Sequence, residues 1–150
     1  MRILHSRRGV TLLEAMVTML ILMLATLVFA ATMPAGHKAA RQAQEYKTGS
    51  AIAQQKMEQL RSLKYELLTP SLLYSSGVVD SPSGSPYTFT TVDQVAGKLA
   101  QGTGSLSITD YTSDIKRATV TVSWVASSQS VGRSVRLTSY IADRRTRKAN

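Results

Sequence analysis

From Ala15 to Gly36 the chain carries no charged side chain, and one carboxylate, Glu14, stands at the head of that run. As an α-helix rising 1.5 Å per residue, the run would extend about 33 Å, enough to cross a hydrocarbon core of about 30 Å. In lipid each backbone amide must find its partner within the segment, so a helix is the form open to it. A carboxylate in such a segment is costly, roughly 2.5–3.5 kcal/mol at the centre and less near an end. An ionisable residue in that position is a functional hypothesis once its partner is named. The partner expected here is the amino group of Val10, which exists only if the chain is cut after Gly9.

The residues around that bond are Arg7-Arg8-Gly9-Val10-Thr11-Leu12-Leu13-Glu14. They resemble the leader junction of type IV prepilins and of the related pseudopilins of type II secretion. The resemblance rests on basic Arg2, Arg7 and Arg8, on Gly9 before the bond, on hydrophobic Val10 after it, and on Glu14 as fifth residue of the mature chain. It implies cleavage between Gly9 and Val10 by prepilin peptidase, N-methylation of Val10, and a role for Glu14 in assembly and register. Phenylalanine is commonest where this chain has Val10, which keeps the position hydrophobic.

Two other readings compete. An ordinary secretory signal has an apolar region of about 7–15 residues before a small-residue cleavage site. Val28-Phe29-Ala30 imitates that site, but the apolar run is too long. A plain signal anchor explains the length and leaves Glu14 without a partner; it would hold a periplasmic binding protein or enzyme at the membrane.

Leaving with the leader, Arg2, Arg7 and Arg8 would lower the formal charge from +9 to +6. Lysine and arginine beside a span usually remain cytoplasmic, yet Lys38 and Arg41 lie just beyond it. The family resemblance therefore sets the orientation: leader in the cytoplasm, body in the periplasm, the span in the inner membrane. Mean hydropathy is near zero because an apolar N-terminus is followed by a polar, Ser/Thr-rich remainder. With no cysteine in its 150 residues the chain must fold by packing alone.

Helical periodicity continues past the span. Ala39, Ala43, Tyr46, Ser50, Ala53, Met57 and Leu60 recur at spacings of four and three, on one helical face, while Lys47, Lys56 and Glu58 fall largely off it. Pro34 and Gly36 predict a kink or loosened turn, and Gly49 a gentle bend. The helix should run to about residue 68 and stop before Thr69-Pro70, because a residue preceding proline avoids helical geometry. Residues 70–86, with Ser75-Ser76-Gly77 and Ser81-Pro82-Ser83-Gly84-Ser85-Pro86, read as a variable loop.

From Tyr87 the period becomes two. Tyr87 to Val92 reads as a strand, with a shorter one over Leu106 to Ile108. Ala118, Val120, Val122 and Trp124 alternate with Thr119, Thr121 and Ser123, the pattern of a half-buried strand. After a turn at Ser127–Ser130, Val135, Leu137, Ser139 and Ile141 line a returning strand. The expected architecture is α+β: a long helix packed on a small antiparallel sheet, the pilin fold. Its parts are a leader (1–9), a membrane and filament-core half-helix (10–36) and a periplasmic domain (37–150). That domain ends in a sheet over 87–142 and a basic tail over 143–150. The Ala53–Arg61 segment and the last two strands are similar to those of minor pilins of the PilV type.

No catalytic chemistry emerges. His5 leaves with the leader, His37 is alone, and no spaced His/Cys/Asp/Glu cluster suits a metal. Neither cofactor nor metal is expected, nor is the chain expected to be an enzyme. Asp80, Asp93, Asp110 and Asp114 read as solvated turn residues, and Gly102-Thr103-Gly104-Ser105 as an ordinary turn. Arg144, Arg145, Arg147 and Lys148 offer an anion contact, but no aromatic is interleaved for stacking on bases, so a solvated terminus outweighs DNA as the explanation. The resemblance implies a minor subunit of a type IV pilus, or a pseudopilin of a secretion or competence system. Its partners would be prepilin peptidase, other pilin subunits and the inner-membrane assembly platform.

Overall fold

The computed structural model describes residues 11–126 and 131–143. The chain divides into two compact units, Met1–Ala40 and Arg41–Asn150. Helix α1, Leu12–Ser62, runs through both. In the first unit it is exposed at every described residue. It is the one helix among the described residues long and apolar enough to cross a membrane. The assignment is continuous through Pro34 and Gly36, so the expected loosened turn does not interrupt the helix.

In the second unit α1 becomes one wall of a core. Its buried residues are Gly49, Ile52, Ala53, Lys56, Met57 and Leu60. Ala53, Met57 and Leu60 are those the periodicity selects, whereas Ala39 and Ala43 higher on the same stripe are exposed. The opposite wall is a four-stranded antiparallel sheet in the order β1-β2-β3-β4, comprising β1 (Tyr87–Thr88), β2 (Thr103–Thr112), β3 (Ile115–Val125) and β4 (Gly132–Ala142). Strands β3 and β4 pair from Ile115↔Ala142 to Val125↔Gly132, the hairpin the alternation calls for. Ala118, Val120, Val122 and Trp124 face the helix and are buried, together with Leu106 and Phe89. The α+β arrangement is consistent with the pilin fold.

Several boundaries differ from the sequence reading, each for a local reason. Helix α1 ends at Ser62, short of residue 68, with the Leu63 amide turning to Leu60 O at 3.3 Å and Lys64 extended. A 3₁₀ turn, Tyr65–Leu67, follows. Pro70 does not merely stop a helix: it opens α2 (Pro70–Ser75), because a first-turn residue needs no amide donor. The expected loop over 70–86 therefore contains a helix and also buries Val78 and Val79.

The strand expected over Tyr87–Val92 shrinks to two residues because Asp80 takes over the backbone. Its carboxylate accepts the amides of Thr91 and Val92 at 2.8–3.1 Å. The Val95 amide then donates to Thr90 O, leading into α3 (Val95–Lys98). Conversely β2 is far longer than Leu106–Ile108, since β3 pairs along nearly all of it. Gly102 and Gly104 are close-packing positions, not turn residues. A Cβ on Gly104 would collide with the Phe89 ring, and one on Gly102 would lie 2.6 Å from Val95 O. The turn expected at Ser127–Ser130 lies outside the described residues.

Gly49 is likewise a close-packing position. A Cβ there would sit 2.7 Å from Cζ3 of Trp124, a buried residue whose ring meets that of Tyr46 edge-on at 5.2 Å between centroids. Replacing a helical glycine by alanine ordinarily gains about 1 kcal/mol, but overpacking a core costs about 1–3 kcal/mol. The second effect should win, so Gly49→Ala should lower the melting temperature, read by circular dichroism of the chain in detergent. Trp124→Ala should cost about 3–5 kcal/mol. A more stable Gly49→Ala variant would mean that the indole moves aside freely.

Candidate functional site

The N-terminal segment is built by a cap. Thr11 O accepts the Ala15 amide at 3.1 Å, and Thr11 Oγ1 accepts the Glu14 amide at 3.2 Å. Thr11 is thus the N-cap of α1, and Thr11-x-x-Glu14 has the spacing of a capping box, a signal the sequence reading passed over. Glu14 also lies in the first turn, where the helix dipole favours a negative charge. Its carboxylate has no side-chain partner among the described residues.

The rest of the segment is suited to an apolar solvent. Thr18, Thr26 and Thr32 each turn their hydroxyl back to a helix carbonyl, at 2.7–3.0 Å. No hydroxyl is left seeking water. Leu12, Leu13, Met16, Leu20, Leu24 and Phe29 are more than half exposed, so this unit presents its apolar side chains outward. Arg7, Arg8, Gly9 and Val10 lie outside the described residues, as do Arg144, Arg145, Arg147 and Lys148.

An outward-facing apolar helix, headed by a capped carboxylate, continues into an α+β unit, an arrangement consistent with a pilin-like subunit. Residues 4–30 match the family model described as the prokaryotic N-terminal methylation motif, the type IV prepilin-like signature. The matched stretch contains Gly9, Val10 and Glu14 together, and it supports a type IV pilin-like or pseudopilin-like subunit. No curated protein and no solved structure matched the chain.

Elsewhere the aspartates are less idle than their turn composition suggests. Asp80 organises the 91–92 backbone as described, and Asp93 pairs with Lys56. Lys56 was expected off the buried face, yet it is fully buried. Its ammonium donates to Gln59 Oε1 at 2.9 Å, Val78 O at 3.0 Å and Asp93 Oδ1 at 3.0 Å, and lies 5.0 Å from the Phe89 ring centroid. Three donors meet three acceptors, so the charge is satisfied inside the unit. Sequence periodicity could not show this, because two of the three acceptors lie far along the chain. Among the described residues no group of three His, Cys, Asp or Glu side chains is placed to hold a metal.

The Lys56–Asp93 pair is asymmetric: Lys56 is fully buried while the Asp93 side chain is 21% exposed. Removing one member of a buried pair costs about 3–5 kcal/mol. Water can reach Asp93 but not Lys56, so Asp93→Ala should destabilise more than Lys56→Met. The double variant should be more stable than Asp93→Ala alone. Denaturant midpoints measure both comparisons, and a double variant no better than Asp93→Ala would show that the two charges are not coupled.

Proposed function

We propose that this chain is a low-abundance structural subunit of a type IV pilus, a minor pilin, that acts by assembly and turns over no substrate. One observation carries the reading: the N-terminal methylation motif over 4–30 coincides with an exposed apolar helix whose first turn holds Glu14. Prepilin peptidase cuts between Gly9 and Val10 and methylates the new terminus. The apolar half of α1 keeps the subunit in the inner membrane until the assembly platform draws it into a filament. There apolar half-helices of neighbouring subunits pack together, and hydrophobic surface presented to lipid becomes surface presented to protein. A pseudopilus subunit would use the same steps.

Within that scheme Glu14 sets the register. The Val10 α-amino group is cationic at neutral pH, as is its singly methylated form. Opposite charges in a low-dielectric core attract strongly, and desolvation consumes much of the gain. A neighbour docked out of register leaves both charges unpaired, whereas the correct axial step joins them. The pairing therefore contributes selectivity more than net stability.

Two measurements test this function. A glycine before the scissile bond suits a peptidase site that a side chain would obstruct, so Gly9→Val should retain its leader by intact mass. The mature wild-type chain should begin at Val10; any other first residue would overturn the reading. Glu14→Ala should insert and be cleaved normally yet be depleted in sheared filaments relative to membranes, with Glu14→Asp intermediate because its reach is shorter. Removing one partner of such a pair costs about 3–5 kcal/mol, enough to make the depletion large. Equal incorporation of wild type and Glu14→Ala would deprive Glu14 of an assembly role.

A further inference from the structure

The outer face of the sheet, turned away from α1, has a composition the fold does not require. Alternation places Thr103, Ser105, Ser107 and Thr109 of β2 on it, beside Arg117, Thr119, Thr121 and Ser123 of β3 and Ser134, Arg136 and Thr138 of β4. No carboxylate occurs among these positions. Tyr111 and Tyr140 meet there at 5.1 Å between ring centroids, 60% and 57% exposed. Arg117 stands directly opposite Tyr140 in the register, and its Nε donates only to Thr109 Oγ1, at 3.3 Å. Neither Arg117 nor Arg136 has a carboxylate partner among the described residues.

The acids are segregated to the other side. Partial desolvation, then the Asp110, Asp143 and Asp114 carboxylates, raise the pKa of Tyr65. Tyr65 lies beneath Lys116, a residue of the helix-facing phase whose Nζ donates to Leu68 O. One face of the sheet thus collects arginine and exposed aromatic rings, while the carboxylates near that end gather around Tyr65.

We propose that this outer face, centred on Tyr111, Tyr140, Arg117 and Arg136, binds single-stranded nucleic acid. Two guanidiniums without a carboxylate partner among the described residues call for an anionic partner with several acceptor oxygens, which phosphate supplies. Exposed tyrosine rings add stacking, which a base supplies whatever its sequence. The hydroxyls between them are donors to phosphate and sugar oxygens. An antiparallel sheet with aromatics on its open face and a helix behind is a known physical solution for splayed bases. A duplex keeps its base faces inside the stack, and an acidic polysaccharide lacks planar bases to lie on the rings; the test separates both from a single strand. The basic residues after Asp143 are a separate source of charge, and the test must distinguish them.

The full chain in detergent is titrated against fluorescently labelled oligothymidylate and followed by anisotropy, alongside a chain ending at Asp143. Tyr111→Ala/Tyr140→Ala should weaken binding roughly ten-fold or more, with Tyr→Phe at both positions restoring it. Arg117→Gln/Arg136→Gln should lower the slope of log K against log salt by about 1.4, for two lost phosphate contacts on a single strand. The chain ending at Asp143 should keep its sensitivity to the tyrosine variants. All four positions are exposed, and unchanged circular dichroism confirms that the variants fold. The proposal is overturned if the wild type does not bind or if the tyrosine variants bind as wild type does. It equally fails if removal of residues 144–150 alone abolishes binding, or if duplex DNA or dextran sulfate binds as tightly as the single strand.

Discussion

Gly49 has no side chain, and the indole of Trp124 occupies the space one would take. That contact fixes how near β3 can come to α1, and the rest of the second unit follows from the spacing. With β3 held close, Ala118, Val120 and Val122 are sealed from water, and Ala53, Met57 and Leu60 are the helix residues that seal them. The small residues Gly49 and Ala53 lie at the Trp124 end of the interface, while the larger Met57 and Leu60 fill the end where β3 carries smaller side chains. Large opposite small gives a packed seam without strain. The same device recurs on β2, where Gly104 makes room for Phe89.

Helix α1 obeys two different accounts along its length. From residue 15 to 36 its side chains are exposed and uncharged and its threonines satisfy themselves on backbone carbonyls, an arrangement that water disfavours and lipid accepts. In the second unit burial is confined to one face, and the other carries Gln54, Gln55 and Glu58. The change of account falls between the two compact units, although the hydrogen-bonded helix does not stop there.

What the sequence made legible depended on range. Features set by neighbours a few residues apart could be read: the apolar run, the N-terminal methylation motif, the alternation of β3 and β4, and the buried phase of Ala53, Met57 and Leu60. Features set by distant partners could not. Lys56 looked like a surface lysine because its acceptors Val78 and Asp93 are remote in sequence. Gly49 and Gly104 looked like a bend and a turn because the rings that require them, Trp124 and Phe89, belong to other elements. The β1 strand was overextended because Asp80 competes for the Thr91 and Val92 amides, and a β-propensity argument has no term for that. Thr11 is the exception: its cap is local, and the Thr11-x-x-Glu14 spacing makes it legible.

Two charged residues, one buried and one exposed, differ in what the fold does with them. Lys56 is buried in its own unit, and every proton of its ammonium has an acceptor there. Its charge is exhausted by the fold, so it has nothing left to offer a partner. Glu14 is the opposite case. Thr11 takes the Glu14 backbone amide, which fixes the first turn without engaging the carboxylate. A side chain held in place with its charge unspent, at the head of an apolar helix, is costly in lipid until an amine arrives from elsewhere. Among the described residues the fold supplies the position and no partner, and under the proposed function that is the condition under which a single carboxylate can report whether a neighbouring subunit has docked in register.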